Sequence, residues 1–224
     1  MRCSACSAPV RPVVAIDLDG TLGDYHGHLD KFATQYLGRP GVGQYAYDGG
    51  EPYRDWFMRL YRCDVTTFRE VKLAYRQGGM KRTQPVFNGA RALAVGLVNA
   101  GAEVWITTTR PFARFDRVDP DTREWLRRHD IPFTALLASD HKMAELADRV
   151  DADRVVAVLD DQPDVLEEAA ELFGPSSAIL VQGLYNRLAP WEGPCVKGLV
   201  GDNGALPYVE QRLSAWFGIY NKEQ

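Results

Sequence analysis

The densest run of chemistry-capable residues in the sequence is Asp17-Leu18-Asp19-Gly20-Thr21. Two carboxylates at i and i+2, followed by a glycine turn, can share one divalent cation while one of them faces a substrate. Taken alone, the same run also describes an Asp-rich turn closing a strand. Three further sets shift the balance toward chemistry: Thr107-Thr108-Thr109-Arg110-Pro111, then Lys142, then the pair Asp160-Asp161. Hydroxyls and a cationic side chain can hold and neutralise an anionic group, and a second pair of acids can help hold a divalent cation.

Elements that could position these residues are visible in the hydrophobic pattern. Val13–Ile16, Val104–Ile106 and Val155–Leu159 are short apolar runs that end in Asp17, Thr107 and Asp160. Such runs predict strands buried on both faces, as in a parallel sheet. Strands at Phe133–Leu136 and Ala178–Val181 are expected to complete a sheet of about five. Helical spacing is found over 89–100, 120–129, 140–149 and 163–173, the last opened by Pro163. This alternation predicts an α/β, doubly wound parallel sheet with its ligand site at the carboxyl ends of the strands. The segment 23–85 breaks the rhythm. It has no strand-like run, and its helical patterns near 28–37, 53–62 and 66–77 are separated by Gly38-Arg39-Pro40-Gly41 and Asp48-Gly49-Gly50. The division predicted is a core of 10–22 and 86–224 with a small helical cap, 23–85, inserted after the first strand. The stretch from Pro190 to Pro207 reads as loop, and Tyr208–Phe217 as a closing helix.

With 224 residues, 46% hydrophobic and 25% charged, the chain can build a proper core, which excludes disordered and coiled-coil classes. A net charge of −4, with no basic block, argues against an extended nucleic-acid track. No apolar run approaches the ~20 residues of a membrane span. The first residues lack the apolar stretch of a signal peptide, and four scattered cysteines do not suggest disulfides, so a cytoplasmic location and no membrane partner are expected. Cys3 and Cys6 have the spacing of half a zinc site, but no second pair completes it.

The ordered set Asp17-Leu18-Asp19-Gly20-Thr21, Thr107–Pro111, Lys142 and Asp160-Asp161 resembles the four motifs of the haloacid dehalogenase superfamily. That resemblance implies a Rossmann-like core, a Mg²⁺ cofactor and phosphate-ester chemistry through an aspartyl-phosphate. It implies Asp17 as nucleophile and Asp19 as general acid and base. Thr108 would hold a phosphoryl oxygen with the backbone N–H groups of Leu18 and Thr109, and Lys142 would neutralise charge. Mg²⁺ would be held by Asp17, the backbone carbonyl of Asp19 and the Asp160/Asp161 pair, with Asp161 favoured on the metal. By strand alternation Thr107 should point away from the site.

A helical insertion of about 60 residues between the first two motifs resembles the C1-type cap of the 5'(3')-deoxyribonucleotidases. Asp17–Tyr25, Gln84-Pro85-Val86-Phe87-Asn88-Gly89-Ala90 and Asp160-Asp161-Gln162-Pro163-Asp164 carry the likeness. It implies a small-molecule nucleotide substrate whose base stacks on Tyr25 and on cap aromatics, for which Trp56, Phe57 and Tyr53 are the candidates. The chain departs from that family at Gly79-Met80-Lys81-Arg82, where the family has phenylalanines. Arg110, Asp121–Leu126 and Ile131-Pro132-Phe133 resemble instead the phosphatase domain of polynucleotide kinase. That likeness is the alternative, a 3'-phosphatase with nucleic-acid ends as partner, in which Arg110, Arg114 and Arg117 would meet substrate phosphates. Sugar phosphates, a non-catalytic nucleotide-binding module and a homodimer also stay open. His26 and His28 lie near the first motif, His141 stands beside Lys142, and Asn186 is a candidate for the site floor.

Overall fold

The computed structural model describes residues 10–42 and 47–220. The Cys3/Cys6 pair lies outside the described residues. Six parallel strands form one sheet in the order β3-β2-β1-β4-β5-β6. They are β1 (Val13–Asp17), β2 (Glu103–Thr108), β3 (Ala135–Ala138), β4 (Val155–Asp160), β5 (Ala178–Gln182) and β6 (Cys195–Lys197). Every residue of β1 and of β4 is buried, as a central parallel strand covered on both faces requires.

Period-two alternation divides β1 between two cores. Val14 and Ile16 pack with Leu93 and Leu97 of α5 (Ala90–Asn99), Trp125 and Leu126 of α6 (Val118–Arg128), and Val209 and Leu213 of α9 (Ala205–Tyr220). Val13 and Ala15 pack on the opposite face with Met143 and Leu146 of α7 (Lys142–Ala147) and Leu166 and Ala169 of α8 (Pro163–Phe173). Helices on both faces complete the doubly wound α/β architecture. The strand order reverses between β1 and β4, and the register sets Ile16 against Leu159, so the carboxyl ends carrying Asp17 and Asp160 are neighbours. Open α/β sheets bind ligands at such a crossing point.

Between β1 and α5 the chain forms α1 (Tyr25–Tyr36), α2 (Tyr53–Tyr61), α3 (Val65–Gln77) and the single turn α4 (Met80–Thr83). Asp24 and Asp64 cap α1 and α3 by accepting the N–H of Gly27 and of Thr67. Arg62 ends α2 in the left-handed conformation. Leu29, Ala33, Trp56, Phe57, Tyr61, Phe68, Val71 and Tyr75 give these helices an apolar cluster of their own. The two connecting segments pair with each other: the Asp24 N–H donates to the Pro85 carbonyl at 2.8 Å, and the Phe87 N–H to the Leu22 carbonyl at 2.8 Å.

The sheet has one strand more than the expected five. Only Val196 of β6 is buried, and three residues with one inward side chain leave no apolar run to read. The third strand begins two residues later than expected, at Ala135, where pairing with Trp105 starts. No helix among the described residues is long and apolar enough to cross a membrane.

Candidate active site

β1 ends at Asp17, and the chain turns through Leu18 and Asp19 to Gly20, whose φ of 105° lies in the left-handed region. Glycine is needed for a second reason. A Cβ there would stand 2.0 Å from Asp161 Oδ2, so any side chain would displace the carboxylate that packs on this turn.

Asp17, Asp160 and Asp161 are buried, and each can place an oxygen within 4.8 Å of the others. Lys142, at the first turn of α7, donates to Asp17 Oδ1 at 2.5 Å and to Asp160 Oδ2 at 2.6 Å. The second oxygen of Asp160 accepts the Gln162 N–H at 3.0 Å. Asp160 is thereby fully engaged, whereas Asp17 Oδ2 and Asp161 Oδ1 are buried without a hydrogen-bond partner. One lysine beside three carboxylates leaves uncompensated negative charge in a desolvated place. Burial pushes the Asp17 carboxyl up to about 7, against the Lys142 charge and with help from Asp160. Burial, with Asp17 and Asp160, raises Asp161 well above the carboxylate range. Burial alone would lower Lys142, yet Asp160 and Asp17 hold it above its ordinary value. The orphaned oxygens and hard, all-oxygen donors fit a divalent cation, with Asp161 as the freer of the acidic pair.

Asp19, two residues on, belongs to a different set of contacts. Arg110 grips it with a fork, Nη2 to Oδ1 at 2.6 Å and Nε to Oδ2 at 3.0 Å. The fork is itself fixed, since Nη1 donates to Thr122 Oγ1 at 2.8 Å and Nη2 to Gln84 Oε1 at 3.1 Å. Lys81 of α4 donates to Asp19 Oδ2. Burial would raise the Asp19 carboxyl, but the Arg110 and Lys81 cations outweigh it and hold it well below the ordinary range. Burial brings Lys81 down to about 7 despite the Asp19 charge.

At the end of β2, Thr108 Oγ1 accepts the Arg110 N–H at 3.2 Å. Thr107, set aside by alternation, is the register partner of Asp17, and its buried hydroxyl has no hydrogen-bond partner. Thr109 is exposed, and Leu18 is buried between the two aspartates. Asn186 ties the loop after β5 to the site by donating to the carbonyls of Asp161 and Val181, each at 3.0 Å. Arg114 pairs with Asp140, both side chains exposed. His28 bonds the Tyr75 hydroxyl at 2.8 Å within the insertion.

A cleft of about 590 Å³ opens beside Asp161, walled by Tyr25, His26, Tyr47, Tyr53 and Tyr185, with Lys72 also on its lining. The His26 ring is the hub of this wall, with centroids 5.3, 5.4, 4.6 and 5.2 Å from those of Tyr25, Tyr47, Tyr53 and Tyr185. Burial lowers His26 to about 4, so its ring is neutral near pH 7.

Similar architecture is found in solved structures. They include a haloacid dehalogenase-like family hydrolase from Streptococcus pneumoniae (16% identity, 80% of this chain and 89% of that one, TM-score 0.55). A predicted phosphatase from Clostridium acetobutylicum matches at 14% identity over 92% of this chain and 100% of that one, with a TM-score of 0.59. The chain has the fold of the haloacid dehalogenase-like hydrolases. CbbY from Rhodobacter sphaeroides, solved in complex with phosphate, is similar at 18% identity over 84% of this chain and 94% of that one (TM-score 0.54). No family model matches the sequence, and no curated protein matches it significantly.

On this haloacid dehalogenase-like fold, the expectation for two cap aromatics needs correction. Phe57 is fully buried and Trp56 nearly so in the insertion's own cluster, and neither lines the cleft. Trp56 instead backs the wall, 5.4 Å from the rings of Tyr47 and Tyr53. Aromatic residues at helical spacing look alike whether they face a core or a cleft, and packing of α2 on α1 and α3 turns these two inward. Lys81 was not among the expected site residues. Its one signal was the segment Gly79–Arg82, where the chain departs from the nucleotidases.

Proposed function

We propose that this chain is a Mg²⁺-dependent phosphomonoesterase that hydrolyses nucleoside monophosphates through an aspartyl-phosphate on Asp17. The observation that carries the chemistry is the pair of orphaned buried oxygens on Asp17 and Asp161 beside Lys142, with Asp19 and its cations opposite. The fold shared with proteins described as phosphatases supports the same reaction class. The aromatic cleft favours a nucleoside as leaving group, because its size suits a small ligand and its rings offer π faces to a base.

Mg²⁺, held by Asp17, Asp161 and the Asp19 carbonyl, would neutralise charge on the phosphoryl oxygens and on the carboxylates. Asp17 attacks phosphorus: a carboxylate oxygen–phosphorus bond forms, the bond from phosphorus to the nucleoside oxygen breaks, and that oxygen takes a proton from Asp19. Lys142 holds Asp17 in line through Oδ1. The phosphoryl oxygens compete with Asp19 for Arg110 and Lys81, which loosens the carboxyl so that it can carry the proton it delivers. The threonine hydroxyls at the end of β2 hold a phosphoryl oxygen. Asp19 then accepts a proton from water as the water oxygen bonds to phosphorus, releasing phosphate and restoring Asp17.

The test is a substrate panel with Mg²⁺: nucleoside 5'- and 3'-monophosphates, a 3'-phosphorylated oligonucleotide and sugar phosphates. Nucleoside monophosphates are expected to give the highest kcat/KM. A preference of about tenfold for the oligonucleotide or a sugar phosphate, a gap one or two contacts can set, would overturn the nucleoside assignment. No phosphate release from any ester would overturn the reaction class.

A further inference from the structure

Lys72, Arg76, Lys81 and Arg82 are the basic residues of the insertion that are buried or half-buried, and they divide into two kinds. Lys81 meets Asp19, and Arg82 reaches the buried Asp121 of α6, Nε to Oδ1 at 3.0 Å. The two cations of α3 have only rings. The Lys72 ammonium stands over Phe68, 5.3 Å from the ring centroid, and the Arg76 guanidinium over Phe115 at 6.0 Å. Among the described residues neither forms an ion pair. They lie one helical turn apart, a spacing at which like charges oppose each other. Burial and the Arg76 charge bring Lys72 down to about 8 against the pull of Asp19, whose carboxylate is already held by Arg110 and Lys81.

Lys72 lines the cleft that opens beside Asp161. Two buried polar atoms of the same lining, Tyr53 Oη and His26 Nδ1, have no hydrogen-bond partner. Burial holds the Tyr53 hydroxyl protonated, so it is a donor without an acceptor. The Tyr53 ring lies 4.6 Å from that of His26 and 6.4 Å from that of Phe68, the ring beneath the Lys72 ammonium. His26 Nε2 is in turn 3.9 Å from Asp161 Oδ2, so a line of contacts runs from the carboxylate cluster along the wall to Lys72. An unpaired ammonium and an unpaired hydroxyl on one wall have an anionic oxygen as their common complement. The phosphoryl group being transferred already has Arg110, Lys81, Lys142 and the threonines at the end of β2, which leaves the wall donors to a different anion.

We infer that Lys72 and Tyr53 form a subsite for a second anionic group, and that the preferred substrate is a nucleoside 3',5'-bisphosphate, one phosphate of which passes to Asp17 while Lys72 holds the other. A nucleoside carries a second anion most simply as a phosphate on its other hydroxyl. The inference rests on the nucleotide phosphatase reading and narrows its substrate class. The bonds made and broken are those of the same hydrolysis, with a nucleoside monophosphate as the leaving group and water supplying the oxygen that releases phosphate from Asp17.

The test measures kcat/KM in the full chain with Mg²⁺ for thymidine 3',5'-bisphosphate and for thymidine 5'- and 3'-monophosphates. The readout is the ratio of the bisphosphate to the better monophosphate, which a general loss of folding or of chemistry does not move. In the unmutated chain the ratio is expected to be ~10 or more, the worth of a hydrogen bond to a charged group. Lys72→Met should bring it close to 1, and Lys72→Arg should keep most of it. Tyr53→Phe, which retains the ring, should lower the ratio about threefold, the worth of a modest hydrogen bond, and decides the matter if Lys72→Met does not fold. A ratio near 1 in the unmutated chain, or one that Lys72→Met and Tyr53→Phe leave unchanged, would overturn the inference while leaving the phosphatase reading standing. No release from any of the three nucleotides, with p-nitrophenyl phosphate still cleaved, would overturn the nucleoside assignment and the inference together.

Discussion

Two clusters of buried charge stand on either side of Leu18, and they are built with opposite imbalance. On the strand side, Asp17, Asp160 and Asp161 share one cation, Lys142. On the insertion side, Asp19 alone faces two, Arg110 and Lys81. The first set has too few cations, leaves carboxylate oxygens without partners and pushes their affinity for protons up. The second has a surplus of cations and holds its carboxylate ionised. The contrast separates two tasks: one side is made to receive a cation, the other to receive an anion. A phosphate ester with a divalent metal would satisfy both at once.

The largest effect is expected from Asp17→Asn. Phosphate release from p-nitrophenyl phosphate should fall by at least ~1,000-fold, as expected for loss of a nucleophile. Stability without metal should hold or rise, because the substitution removes a charge that burial disfavours. If activity survives, Asp17 is not the nucleophile.

Lys142→Met tests the strand-side cluster from its other partner. Leaving buried carboxylates uncompensated should cost about 3–5 kcal/mol in urea unfolding. Lys81→Met should cost clearly less, since Arg110 stays on Asp19. Equal costs would mean that the two clusters are not differently balanced.

Metal and pH act on the strand-side carboxylates. Asp17 in the folded chain keeps its proton up to about 7, against an ordinary value of 3.8, so between those values the folded state binds more protons than the unfolded one. Stability of the metal-free protein should therefore fall as pH rises through that window. Mg²⁺ competes for the same oxygens, so it should raise Tm more at about pH 8 than at about pH 5, and at ~100-fold excess over Kd its stabilisation free energy should reach about 2.7 kcal/mol. A Tm that ignores Mg²⁺ at the higher pH would count against the cation site.

The smallest expected effect lies at the cleft wall. Tyr47→Ala should raise KM for nucleotides by roughly tenfold, the worth of one stacking partner, with little change for p-nitrophenyl phosphate. Phe57→Ala should do the reverse, lowering Tm while leaving KM close to the original value.

Local chain chemistry was enough to mark the strands at Val13, Val104 and Val155, the core helices between them and the carboxylates and hydroxyls that end them. Continuous apolar runs have few alternatives to a buried parallel strand, and polar residues at their carboxyl ends have few alternatives to a shared edge. Asp17 and Asp160 were legible for that reason and Lys142 from its place in the ordered set of motifs, although 125 and 18 positions separate the lysine from the two carboxylates it joins. The tertiary structure alone decided the rest. Which of Asp160 and Asp161 keeps a free oxygen depends on where the Lys142 ammonium lands. Whether Trp56 and Phe57 meet a ligand or the insertion's own core depends on which face of α2 packs inward. β6 exists because β5 offers it an edge, not because Cys195-Val196-Lys197 has a strand signal of its own. Lys81 becomes a partner of Asp19 only when α4 closes on α6, since a charge 62 residues away has no place in a local pattern until packing removes the water between the two groups.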